Sequence, residues 1–111
     1  MLRSTTLSNG LRVRLRLSRP SDRDCLRDLF ARLGLDADDF ALGRLTRFDP
    51  RERTAVCATV FVGGAEAAVG YGAIDRFSDG PDMLVADEVT APGVTQLVAG
   101  ALRAHAARNV A

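Results

Sequence analysis

The stretch from Asp82 to Val110, DMLVADEVTAPGVTQLVAGALRAHAARNV, constrains the fold more than any other part of the chain. It reads as a short apolar strand at Met83 to Ala86, a turn holding Thr90, Pro92 and Gly93, and a long helix. A strand that feeds a helix through a glycine turn aims the helix's unpaired backbone N–H groups at the strand end, where an anion can be held. The helix carries its apolar stripe at Val94, Leu97, Val98, Ala101 and Leu102, and His105 continues that stripe into the last turn.

Upstream, Leu11, Val13, Leu15 and Leu17 alternate with Arg12, Arg14 and Arg16. A period of two makes this a half-buried strand with one apolar and one cationic face. The arginines read as a solvated face, with an anion-binding stripe as the alternative. Residues 1–10 end in Asn9-Gly10 and form either a leader or a short first strand. Pro20 stops the main strand, and Ser21 and Asp24 are placed as N-cap and N3 acid of a helix whose buried stripe is Leu26, Leu29, Phe30 and Leu33. Gly34 sits where a positive φ ends it. Asp36 is read as the cap of a second helix through Phe40, Leu42 and Leu45, and Asp49-Pro50-Arg51-Glu52 as one further turn. Two strands follow between Thr54 and Ile74, joined by a hairpin at Gly63-Gly64, and the loop Ser78-Asp79-Gly80-Pro81 leads to the strand at Met83. The order is strand, helix, helix, strand, strand, strand, helix: an α+β arrangement with helices on both sides of one sheet.

With 111 residues, 47% of them hydrophobic, the chain has the size of one domain with one core. Its 15 basic and 14 acidic residues are interspersed, so no basic face is expected to hold nucleic acid. No apolar run approaches the ~20 residues of a membrane span, and the N-terminus lacks a secretory pattern, which points to a cytoplasmic protein with no membrane partner. Cys25 and Cys57 lack CxxC spacing and read as buried thiols. A single histidine supports no metal site.

The element order and its local wording resemble the N-terminal two-thirds of the GNAT N-acyltransferase fold over residues 11–110. The pieces that carry the resemblance are LRVRLRL, the PSDRD start of the first helix, RLTRFDPRERTAV, AVGYGAIDRF after the hairpin, and VADEVTAPGVTQLVAGALRAHAA. The segment around Arg47 to Val56 particularly resembles GNAT domains of bacterial protein-lysine acetyltransferases. The family motif Q/R-x-x-G-x-G/A aligns with Thr90-Ala91-Pro92-Gly93-Val94-Thr95. The resemblance implies acetyl-CoA or another acyl-CoA as cofactor, its pyrophosphate held by the turn and helix start at Thr90, Gly93, Val94 and Thr95, and its pantetheine arm by the strand at Val85.

The loop departs from the motif at three points. Thr90 replaces a long polar side chain, Pro92 removes an N–H, and Thr95 places a β-branched side chain where the family has Gly or Ala. Losing one charge-assisted donor costs about 1.5–3 kcal/mol, so coenzyme A is expected to bind weakly. The family also continues past this helix with a strand that splays from the one at Met83 to Ala86, a helix and a final strand pair. The chain is therefore read as a truncated GNAT-like domain over residues 11–111, an α+β mixed sheet without the family's C-terminal strands, preceded by residues 1–10.

Two functions fit these residues. One is acyl-CoA-dependent N-acyltransfer by direct attack of an amine on the thioester, or a degenerate descendant of it. Asp82 or Glu88 is then the candidate catalytic base if burial raises its pKa, with Asp87 beside them; all three also read as solvated loop acids. The other is a non-catalytic GNAT-like module or half-domain that associates with a protein partner or takes a regulatory ligand. Tyr71, between Gly70 and Gly72, reads as a sheet or cleft residue, and His105 as a packing or capping one. The strand at Met83 to Ala86 is nearly all apolar and is left at the sheet edge, so a two-fold homodimer around residues 82–102 is expected.

Overall fold

A computed structural model describes residues 2–77 and 80–110, with side chains over 3–77 and 80–105. Ser78 and Asp79 of the expected loop lie outside them. The strands are β1 (Leu2–Thr6), β2 (Arg12–Leu17), β3 (Arg53–Val62), β4 (Ala65–Asp75) and β5 (Met83–Ala86). The helices are α1 (Arg23–Arg32), α2 (Asp39–Thr46) and α3 (Val94–Val110), and a 3-10 turn at Pro20–Asp22 leads into α1. The opening residues take the strand alternative, since β1 pairs with β2 in the register Leu2↔Arg16 to Thr6↔Arg12. The sheet runs β1-β2-β3-β4-β5, and every one of these pairs is antiparallel.

Both faces of the sheet are covered, which is why β3 and β4 read as nearly unbroken apolar runs and not as alternations. On one face Val13, Leu15, Val56, Ala58 and Val60 meet Val94, Val98 and Leu102 of α3. On the other, Ala55, Cys57, Tyr71 and Val85 meet Leu26, Leu29 and Phe30 of α1 and Leu42 of α2. The β3–β4 hairpin turns at Gly63 (φ 60°) and Gly64 (φ 81°), two consecutive left-handed residues that match the twist of an antiparallel pair.

A bulge interrupts that pair. Ala58 opposes Gly70 while Thr59 opposes Ala68, which leaves Val69 as an extra residue in β4. Val69 and Gly70 consequently both face α3, and Gly72 follows beneath the same helix. A Cβ at Gly72 would lie 2.6 Å from Val98 Cγ1, 2.8 Å from Leu102 Cδ1 and 2.8 Å from Leu84 Cδ2. Gly72→Ala should therefore destabilise the fold by about 1–3 kcal/mol, read as a lower urea midpoint at unchanged slope. A midpoint equal to that of the native chain would show that α3 can lift without cost.

Two helix starts differ from the sequence reading. Ser21 lies inside the 3-10 turn, and Asp22 does the capping there: its Oδ2 accepts the Arg19 N–H at 2.9 Å. In α2 the cap is Asp38, which accepts the Ala41 N–H at 2.8 Å, and not Asp36. Both aspartates are chemically able to cap, and α2, whose Leu42 packs on the sheet, starts at the later one.

Arg16 is the larger surprise. Arg12 is exposed and Arg14 lies over the Phe61 ring at 5.2 Å, but Arg16 is only 6% exposed, because the turn into α1 folds over its end of β2. Its guanidinium forks onto Asp22 (2.7 and 2.6 Å) and reaches Glu66 Oε1 at 2.9 Å. The Thr59 hydroxyl donates to the other Glu66 oxygen at 3.1 Å. The expected solvated stripe is thus broken by a buried ion pair. Beside it, burial pushes the Cys57 thiol up to about 12 and raises that of Cys25 as well, so both stay protonated at neutral pH.

Candidate functional site

The segment between β5 and α3 is organised by two acids. Asp87 is buried, and its N–H extends the sheet by bonding to the Val69 carbonyl at 2.8 Å. Its Oδ1 accepts the Thr90 N–H at 3.1 Å and its carbonyl accepts the Ala91 N–H at 2.9 Å, which closes a turn. Arg32 of α1 stands 3.6 Å from Asp87 Oδ2 and also donates to the Ala68 carbonyl. Burial works to raise the Asp87 carboxyl, but the Thr90 hydrogen bonds and the Arg32 charge outweigh it and hold it below the usual carboxylate range. The chain then turns through Gly93 (φ 93°), and the side chain of Asn9 ties the β1–β2 turn to the loop by donating to the Thr90 carbonyl at 3.2 Å.

Glu88 reaches across this turn to the start of α3. Its Oε1 accepts the Gly93 N–H at 3.0 Å, and its Oε2 accepts both the Thr95 N–H at 2.8 Å and the Thr95 hydroxyl at 2.7 Å. Those three donors, Gly93 first, hold the exposed Glu88 carboxyl below its usual range. The acid sits five and seven residues ahead of its donors, a spacing that no capping rule scans, so the contact was not visible in the sequence. Because the pKa is lowered, the cap is complete above the ordinary glutamate range and is lost as pH falls through the lowered value. Amide exchange by NMR should show Gly93 and Thr95 protection flat near neutrality and falling in acid; protection that instead falls toward neutral pH would contradict the cap.

The residues expected to hold a cofactor do meet here, but their donors are already committed. Thr90 and Ala91 give their N–H groups to Asp87, Val94 gives its own to the Ala91 carbonyl at 3.1 Å, Gly93 and Thr95 give theirs to Glu88, and Pro92 has none. A carboxylate occupies the place a phosphate would take and repels one by charge. The loop as it stands does not fit a diphosphate. Val85 is also turned inward: it is 9% exposed and stands opposite Tyr71. The Asp87–Val69 bond sets the alternation of the ladder, so the backbone groups directed to the free edge are those of Leu84 and Ala86.

The two candidate bases are separated. Asp82 lies at the opposite end of β5 from Glu88, with its carboxylate 2.7 Å from Arg53 Nη1, which also takes Asp75 at 2.6 Å. Neither acid is buried. Tyr71 is fully buried against α1 and α2, where burial raises its phenol and its hydroxyl donates to the Leu45 carbonyl at 2.5 Å. Among the described residues no group of three or more His, Cys, Asp or Glu is placed to hold a metal ion, and no helix is long and apolar enough to cross a membrane.

A five-stranded antiparallel sheet, two helices on one face, and a strand-turn-helix whose helix covers the other make up one α+β layer arrangement. No protein-family model and no curated protein matches the sequence. Among solved structures the chain is similar to the GNAT domain of S. lividans PAT, with a TM-score of 0.75 and 17% identity over 97% of this chain and 73% of that one. The chain has a GNAT-like fold.

Proposed function

We propose that this chain is a GNAT-fold module that works by binding and not by acyl transfer, its acyl-CoA loop closed by its own Glu88. The observation that carries the reading is the commitment of every backbone N–H from Thr90 to Thr95, two of them to that carboxylate. The absence of burial at Asp82 and at Glu88 supports it further, since a general base needs a raised pKa beside the reacting amine. The rival, N-acyltransfer from acetyl-CoA or another acyl-CoA, requires Glu88 to leave the loop. Calorimetry with acetyl-CoA on the native chain should show binding no tighter than the high-micromolar range, and a panel of amines should give no thioester-dependent turnover. Low-micromolar affinity or measurable turnover overturns the reading.

The free edge of β5 supports self-association as the form this module takes. Leu84 and Ala86 direct unpaired backbone groups outward, Leu84 is 41% exposed, and no described strand covers them. An antiparallel β5 pair between two copies satisfies both edges through one two-fold axis. Light scattering should give twice the chain mass, and Leu84→Lys should reduce it to the monomer. A native chain that stays monomeric at high concentration rules this pairing out.

A further inference from the structure

Away from Glu88, at the end of the sheet where β2 finishes and β3 begins, a cleft of about 510 Å³ opens between the segment Leu17–Pro20 and the segment Arg47–Pro50. We propose that this cleft binds a small organic anion with an apolar body, of the medium-chain carboxylate class. This inference stands independently of whether coenzyme A binds at α3.

Three properties of the cleft point to that chemistry. Its walls are mostly hydrocarbon, from Leu17, Pro20, Phe48 and Pro50. Its volume is in the range that encloses a small ligand, about 300–1,000 Å³. Its charge is one-sided: Arg19, Arg47 and Arg53 line it and no Asp or Glu does. Arg53 is already neutralised by Asp75 and Asp82. Arg19 has only a 3.8 Å contact to Asp22, whose carboxylate is forked onto Arg16, and its side chain is 60% exposed. Arg47 makes no ion pair or hydrogen bond through its side chain among the described residues, and it borders an adjoining cleft of about 640 Å³ with Arg44. Guanidinium groups that face an apolar cleft without a carboxylate partner are suited to a carboxylate brought by a ligand.

An orphan donor lies in the same wall. Ser18 lines the cleft, its N–H is used by the Ala55 carbonyl at 2.8 Å, and its hydroxyl is buried with no hydrogen-bond partner. Buried hydroxyls are satisfied in the large majority of cases, so an unpartnered one in the wall that also carries the unpartnered Arg47 marks a place where an acceptor is missing. A carboxylate supplies the partner that Arg47 lacks, while its hydrocarbon tail takes the apolar wall.

The test uses sodium octanoate as probe on the isotope-labelled chain, with octanol and inorganic phosphate as separate arms. Octanoate should give saturable NMR shifts at the Ser18, Phe48 and Thr54 amides, and both other arms should bind at least about tenfold more weakly. Arg47→Ala, a change at an exposed side chain, should weaken octanoate about tenfold, and Arg47→Lys should restore part of the loss. The inference is overturned by unsaturable or scattered shifts, by octanol or phosphate binding as tightly as octanoate, or by an Arg47→Ala chain that binds octanoate as the native one does. Coenzyme A is read at the Gly93 and Thr95 amides, so failure at one site is distinguishable from failure at the other.

Discussion

Arg16→Ala is expected to cost about 3–5 kcal/mol of folding stability, the largest effect of any single substitution considered for this chain. Arg16 and Asp22 are 6% and 2% exposed, and the Asp22 carboxylate receives both of its charged hydrogen bonds from that one guanidinium. Removing the cation leaves a carboxylate sealed from water with the Arg19 N–H as its remaining close donor, and takes away the charge that faces Glu66. The favourable energy of the pair itself is a separate quantity. Arg16 Nε is buried with no partner, which offsets part of what the fork contributes. The double variant Arg16→Met, Asp22→Asn should therefore lose much less than the two single variants added together, because no charge is stranded at the buried Asp22 position and only the part-exposed Glu66 loses its ion-pair partner. Urea unfolding of the native chain, Arg16→Ala, Arg16→Met, Asp22→Asn and the double variant measures this directly. An Arg16→Ala cost below about 1 kcal/mol would mean that water reaches Asp22 and that the network is effectively exposed.

Glu88→Ala should raise affinity for acetyl-CoA by about tenfold or more. The substitution removes a negative charge from the anion position and frees the Gly93 and Thr95 N–H groups together. Each charge-assisted hydrogen bond regained is worth about 1.5–3 kcal/mol, and ~1.4 kcal/mol is tenfold in affinity. Glu88→Gln keeps the shape of the plug without its charge and should fall between the native chain and Glu88→Ala. Adding Thr95→Gly clears the β-branched side chain and should tighten binding again, at some expense to the first turn of α3. Calorimetry on the series gives the order. If Glu88→Ala binds no better than the native chain, Glu88 is an ordinary helix cap and the loop has no latent diphosphate site.

Much of the fold was legible because its signals are local. The Leu26, Leu29, Phe30 stripe is a helical period closed by Gly34 at φ 70°, and Gly63-Gly64 can be little other than a hairpin turn. Met83 to Ala86 is bounded by turn residues on both sides and appears in the sheet with those limits. The bulge at Val69 had no such signal, since an extra residue in an apolar strand changes neither composition nor turn chemistry, and only pairing with β3 reveals it.

The site divides along the same line. The sequence by itself determined that a strand, a glycine turn and a helix come together at Gly93, because turn chemistry and hydrophobic period are properties of neighbouring residues. It also determined that Arg12, Arg14 and Arg16 share one face of β2. Only the tertiary structure decided that Arg16 is buried against Asp22 and against Glu66, which lies 50 residues away in sequence, and that Glu88 occupies the amides an anion would use. A strand's period states which side chains point together, but whether that face meets water, a helix or an opposite charge depends on chain segments that arrive from elsewhere, and burial and electrostatics follow from that arrival.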